Sequence, residues 1–121
     1  MDMVHITIQT SKFDEEIDFY EKFVGLKIQR DMRPVGKELV FLGEKGEVTL
    51  LEVIRNEDAP DVEYDCLSIG FEAHDIDATR EKLEAAGMKP SPFITPTKGV
   101  KFFYVKDPAG MKVQFIKAFY L

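Results

Sequence analysis

The residues of this 121-residue chain that can do chemistry sit inside short runs of alternating apolar character. His5 lies in Val4-His5-Ile6-Thr7-Ile8-Gln9 and Glu52 in Leu50-Leu51-Glu52-Val53-Ile54. Ser68 lies in Cys66-Leu67-Ser68-Ile69-Gly70-Phe71 and Gln114 in Met111-Lys112-Val113-Gln114-Phe115-Ile116. Together they offer an imidazole, a carboxylate able to work as a base, a hydroxyl, and an amide that brings no charge. Thiol chemistry is not indicated: Cys66 is the sole cysteine, so it forms no intramolecular disulfide, and it reads as a small strand residue. No Cys/His cluster has the spacing of a zinc site, and His74, in a polar turn before a helix, is expected in solvent.

The elements that must position these groups follow from period and punctuation. Strict alternation over residues 4–9 puts Val4, Ile6 and Ile8 on one strand face and His5, Thr7 and Gln9 on the other. Ser11 then offers a capping oxygen ahead of Asp14-Glu15-Glu16, and Phe13, Ile17, Tyr20 and Val24 recur at helical steps until Gly25 ends the helix. Residues 26–32, 38–42 and 47–54 read as three further strands, and the acidic stretch from Arg55 to Tyr64, with Pro60, reads as a connector. The pattern then restarts. Residues 66–71 form a strand with Ser68 and Gly70 on one face, and residues 76–86 a helix capped by Asp75 and closed by Gly87. Pro90, Pro92 and Pro96 predict that the strand expected between Met88 and Gly99 is short, at an edge, or replaced by a loop. The clearest local structure is a hairpin over Lys101–Lys117, turning at Asp107-Pro108-Ala109-Gly110.

Spacing supports a tandem duplication. Gly25 and Gly87, Phe41 and Phe103, and Glu52 and Gln114 are each 62 residues apart, and His5 and Ser68 are 63 apart. Each half reads β-α-β-β-β. One helix covers only one face of its strands, so the bare face is where a ligand is expected. That face carries His5, Thr7, Gln9, Leu50, Glu52 and Ile54 from the first half, then Ser68, Gly70, Glu72, Lys112, Gln114 and Ile116 from the second. The expected fold class is α+β: two tandem βαβββ modules, about 1–56 and about 65–121, forming a curved mixed sheet around a trough in a single domain spanning 1–121.

Composition bounds the partners. With 45% hydrophobic and 31% charged residues the chain is an ordinary globular protein, and its net charge of −6 with scattered Lys and Arg argues against nucleic acid or an anionic membrane. The start of the chain shows no export signal and no apolar run approaches the length of a membrane span, so a reducing cytoplasm is the expected location.

The order and spacing of several short motifs resemble the vicinal oxygen chelate superfamily, which includes glyoxalase I, bleomycin resistance proteins, fosfomycin resistance proteins and extradiol dioxygenases. They are Val4-His5-Ile6, Asp18-Phe19-Tyr20 with Gly25-Leu26, Leu51-Glu52-Val53, Asp77-Ala78 leading to Leu83-Glu84-Ala85-Ala86-Gly87, and Asp107-Pro108-Ala109-Gly110 followed by Val113-Gln114-Phe115. The resemblance covers essentially the whole chain and is specific for fold, not for reaction. It implies a divalent metal (Zn, Ni, Mn, Fe or Co) held by His5, Glu52 and Gln114, with Glu52 as the catalytic carboxylate. It also implies a ligand pocket that includes Thr7, Ser68, Gly70 and Phe103. Gln114 stands where many members carry a metal-binding Glu, and its oxygen can coordinate without acting as a base. Ser68 stands where many carry His, and a neutral hydroxyl is a poor ligand for a first-row metal.

Plainer roles stand beside these: His5 as a strand residue in solvent, Glu52 on a solvated sheet face, Gln114 as a hydrogen bond holding the halves in register, and Phe103 as core. Two function classes follow. One is a small-molecule-binding member with an incomplete metal site, working as a metal-dependent lyase or isomerase. The other is a metal-free protein that sequesters an antibiotic or metabolite. Arg30, Arg33 and Arg55 are available to an anionic group at the pocket mouth, and the Pro-rich segment from Met88 to Gly99 to a rim or lid. Members of the superfamily commonly form homodimers, and the apolar Ala118-Phe119-Tyr120-Leu121 end suits such a contact.

Overall fold

A computed structural model describes all of residues 1–121. The chain divides into two compact units, Met1–Asp61 and Val62–Leu121, and each repeats one architecture.

In the first unit β1 (His5–Thr10) leads into α1 (Phe13–Phe19), which continues as a π-helical turn over Tyr20–Val24. β2 (Lys27–Asp31), β3 (Leu39–Gly43) and β4 (Leu50–Arg55) complete the sheet in the order β1-β4-β3-β2. β1 lies parallel to β4 and the other pairs are antiparallel. The helix ends as its sequence predicts, on Gly25 at φ 83°. Its start differs: the N-cap is Lys12, with no side-chain cap, and the Thr10 hydroxyl, not that of Ser11, accepts the Lys12 N–H at 2.9 Å. Asp14, Glu15 and Glu16 in the first turn suit the positive helix end. Phe13, Ile17 and Tyr20 are buried over Ile8, Val40, Leu42, Leu51 and Val53. Each such side chain stabilises by roughly 1.5–3 kcal/mol relative to exposure, so the alternation that buries these residues also fixes which face stays bare.

The second unit runs β5 (Tyr64–Glu72), α2 (Ile76–Ala85), β6 (Ile94–Thr97), β7 (Val100–Lys106) and β8 (Met111–Ala118), in sheet order β5-β8-β7-β6. Asp75 caps α2 by accepting the Ala78 N–H at 3.1 Å, and Gly87 follows its end at φ 80°. β6, with Pro96 inside it, is a four-residue edge strand, as proline's missing donor requires. At the β7–β8 turn the Asp107 carboxylate accepts the N–H groups of Ala109 at 3.0 Å and Met111 at 2.9 Å, while Gly110 takes φ 90°. The Gly110 carbonyl then accepts the Tyr64 N–H at 2.8 Å, tying the start of β5 to the hairpin. Ile76 and Leu83 bury with Val105, Met111, Val113 and Phe115. No helix is long and apolar enough to cross a membrane.

Candidate functional site

On the bare face of the first sheet, cross-strand register sets Thr7 of β1 beside Glu52 of β4 and Glu52 beside Phe41 of β3. The Thr7 hydroxyl donates to Glu52 Oε1 at 2.6 Å, and His5 Nε2 lies 3.7 Å from the same oxygen. Glu52 Oε2 accepts no hydrogen bond. The imidazole meets the Phe41 ring edge-on, with centroids 5.9 Å apart. The Glu52 side chain keeps 13% of its surface exposed and that of His5 42%, so the carboxylate is sheltered but reachable. Gln9 continues the row, its amide oxygen accepting from Asn56 Nδ2 at 2.9 Å.

Bonds of about 2.1 Å to nitrogen and oxygen put two ligands of one ion no more than about 4.2 Å apart, so the 3.7 Å between Nε2 and Oε1 suits a shared divalent cation. Neither unit gathers three or more His, Cys, Asp or Glu side chains into a metal-binding group. The donor set of the first unit is therefore the His5 imidazole and the Glu52 carboxylate.

The second unit presents the same pattern with its charge removed. Register pairs Ser68 with Lys112 and Gly70 with Gln114 in β5 and β8, matching His5 with Leu50 and Thr7 with Glu52 in the first unit. Where Thr7 donates to Glu52, Gly70 leaves room for the amide: a Cβ at Gly70 would stand 3.0 Å from Gln114 Oε1. Register also pairs Tyr104, not Phe103, with Gln114. Phe103, expected in the pocket, is fully buried on the opposite face and stacks on Phe115 with centroids 5.3 Å apart. The bare-face aromatic is Tyr104, with the Lys112 ammonium 4.2 Å above its ring. The reason is alternation: one residue of slip moves a side chain through the sheet. Counting back from Gln114 across the turn, instead of carrying the 62-residue offset from Phe41, identifies Tyr104 from sequence alone.

The arginines separate as well. Arg33 is held by Asp31 through Nε at 2.9 Å and Nη2 at 2.8 Å, a bidentate pair that lowers the Asp31 pKa. Arg55 bridges Glu38, Asp14 and Glu57, and the hydrogen bond to Glu38 leads in raising its pKa. Arg30 makes no ion pair and lies over the Phe41 ring, 5.7 Å from its centroid.

A curated relative, the lactoylglutathione lyase of Haemophilus influenzae, is 32% identical over 97% of this chain and 93% of its own length. The fosfomycin resistance protein FosX of Listeria monocytogenes superposes with a TM-score of 0.74 over 96% of this chain and 92% of that one, at 13% identity. TnmS3, an antibiotic-binding protein of a Streptomyces species, superposes at 0.71 over 95% and 93%, at 19% identity. With residues 2–115 matching the family model and both sheets folded as two βαβββ units, the chain belongs to the Glyoxalase/Bleomycin resistance protein/Dioxygenase superfamily.

Proposed function

We propose that this chain binds a small molecule through adjacent oxygens at a divalent metal ion held by His5, Glu52 and Gln114. The observation that carries the reading is the sheltered Glu52 carboxylate with the His5 imidazole 3.7 Å away and the Thr7 hydroxyl 2.6 Å away on one bare face. A metal bound by these residues would supply Lewis-acid stabilisation of negative charge developing on the ligand oxygens.

The chain's own groups do the rest. Thr7 fixes the orientation of Glu52 through Oε1, leaving Oε2 to take a proton from carbon beside a carbonyl, the step a lyase or isomerase of this family requires. Gln114 cannot take that proton, because an amide is neither charged nor basic. Glu52 is therefore the sole catalytic carboxylate of the proposed set. Thr7 borders the proposed ligand, as Ser68 and Gly70 do in this reading, and Phe41 offers an apolar ring beside His5. The exposed Phe119, Tyr120 and Leu121 and the exposed free thiol of Cys66 support a homodimer in a reducing cytoplasm.

A second reading has its own support. Ser68 and Gln114, neutral at the positions matching His5 and Glu52, favour a metal-free protein that sequesters its ligand. Metal analysis of protein purified without chelator, beside the His5→Ala variant, separates the two. Stoichiometric Ni, Zn, Mn, Fe or Co that is lost in the variant supports the first reading; protein that cannot be loaded with any of them supports the second. Turnover of the hemithioacetal of methylglyoxal and glutathione, tested in wild type and Glu52→Gln, decides whether the lyase activity of the Haemophilus relative extends to this chain.

A further inference from the structure

We infer that Arg30 is an anion-binding residue of the first unit's bare face, and that the ligand carries a carboxylate- or phosphate-type group beyond Phe41 from its adjacent oxygens. The inference rests on the proposed function for the oxygen-binding end and on independent geometry for the anionic end.

Regular pairing continued from Ile28, which faces Leu42, sets Gln29 opposite Phe41 and Arg30 opposite the fully buried Val40. The strand does not continue regularly. The register shifts between Ile28 and Arg30, so that Arg30 itself faces Phe41. A bulge of this kind re-aims a side chain, and here it turns a guanidinium from the covered face to the bare one. Gln29 holds the irregularity, its amide donating to the carbonyls of Gly43 at 3.0 Å and Lys27 at 3.3 Å.

The other three arginines are engaged: Arg33 with Asp31, Arg55 with Glu38, and Arg80 with Glu84. Arg30 alone makes no ion pair. A guanidinium resting on an aromatic face keeps its N–H edge available, and that edge matches the two oxygens of a carboxylate or phosphate. Thr7, Glu52, Phe41 and Arg30 form one cross-strand row. The Phe41 ring has the His5 imidazole at 5.9 Å and the Arg30 guanidinium at 5.7 Å. A molecule lying along that row therefore meets the oxygen-binding pair and the cation together.

Benzohydroxamate and 4-carboxybenzohydroxamate test this, since they share a pair of adjacent oxygens and a flat ring and differ by one carboxylate. On zinc-loaded protein the carboxylated compound is expected to bind about tenfold more tightly. Arg30→Met should erase that difference, Arg30→Lys should restore part of it, and Arg33→Met should leave it intact. A preference that is missing in wild type, or that survives in Arg30→Met, overturns the inference. Benzoate on metal-free protein, followed by the arginine Nε–H resonances, separates it from the metal reading. If zinc does not load and benzoate still shifts Arg30 alone, the metal reading fails and the anion site stands; no shift at Arg30 overturns the anion site as well.

Discussion

The two units have one topology and opposite chemistry. At matching register the first carries His5, Thr7, Glu52 and Phe41, and the second Ser68, Gly70, Gln114 and Tyr104. Each has an apolar core on its covered face that burial constrains, less completely in the second, where Leu67 of β5 is exposed and Ile69 and Phe71 are half-buried. Their bare faces carry no such constraint. There the first copy keeps an imidazole and a carboxylate, the latter held by a threonine hydroxyl, while the second keeps one amide backed by a glycine. What differs between repeats is what packing does not specify, and that is where a ligand site is expected.

The sharpest test exchanges the two central residues. Glu52→Gln removes the only carboxylate of the proposed donor set, and divalent-metal affinity by calorimetry is expected to fall on the order of a thousandfold. Gln114→Glu adds a charge at the matching position and should raise affinity by roughly tenfold. Equal and small effects from both would show that the units do not differ in this respect, and would remove Glu52 from the site.

The next contrast lies in the turns. Gly46, between β3 and β4, has φ 88° with open space where a Cβ would stand; Gly110, between β7 and β8, has φ 90° with the Val62 carbonyl oxygen there instead. Gly46→Ala then bears only the left-handed strain of about 1 kcal/mol. Gly110→Ala must also displace the backbone that starts β5, for a total of about 3 kcal/mol. Urea denaturation of the two variants should rank them so. Equal losses would mean that the hairpin and the entry to β5 are not coupled.

This contrast also marks what was readable in advance. The Asp107–Gly110 turn, the Asp75 cap, the stops at Gly25 and Gly87 and the proline-limited edge strand β6 are local signals, decided by a few neighbouring residues. The alternation of β1 likewise placed His5 and Thr7 on the face that bears Glu52. Two features were not local. Phe103 and Tyr104 exchange roles because register comes from hydrogen bonding across β7 and β8, not from an offset between repeats. Arg30 reaches the bare face through a bulge that Lys27-Ile28-Gln29-Arg30-Asp31, with little alternation of its own, does not announce. At the start of α1, Thr10 and not Ser11 accepts the Lys12 N–H, so the helix begins with no side-chain cap.

The smallest expected effect concerns acid. Each unit has an aspartate whose pKa is lowered, chiefly by a side-chain hydrogen bond: Asp31 with Arg33, and Asp65 with Lys106 at 2.6 Å. A depressed folded-state value means that the stabilisation is complete above the ordinary value of 3.8 and is lost as pH falls through the lowered one. Asp31 and Arg33 are two residues apart, so their pairing partly survives in the unfolded chain and cancels from the folding equilibrium. Asp65 and Lys106 are 41 residues apart, and unfolding separates them fully. Asp65→Asn should therefore flatten the decline in urea midpoint between about pH 5 and pH 2 more than Asp31→Asn does, both by small amounts because the groups face solvent. A steeper response from Asp31→Asn would mean that its pair forms only on folding, against the local origin assigned to it.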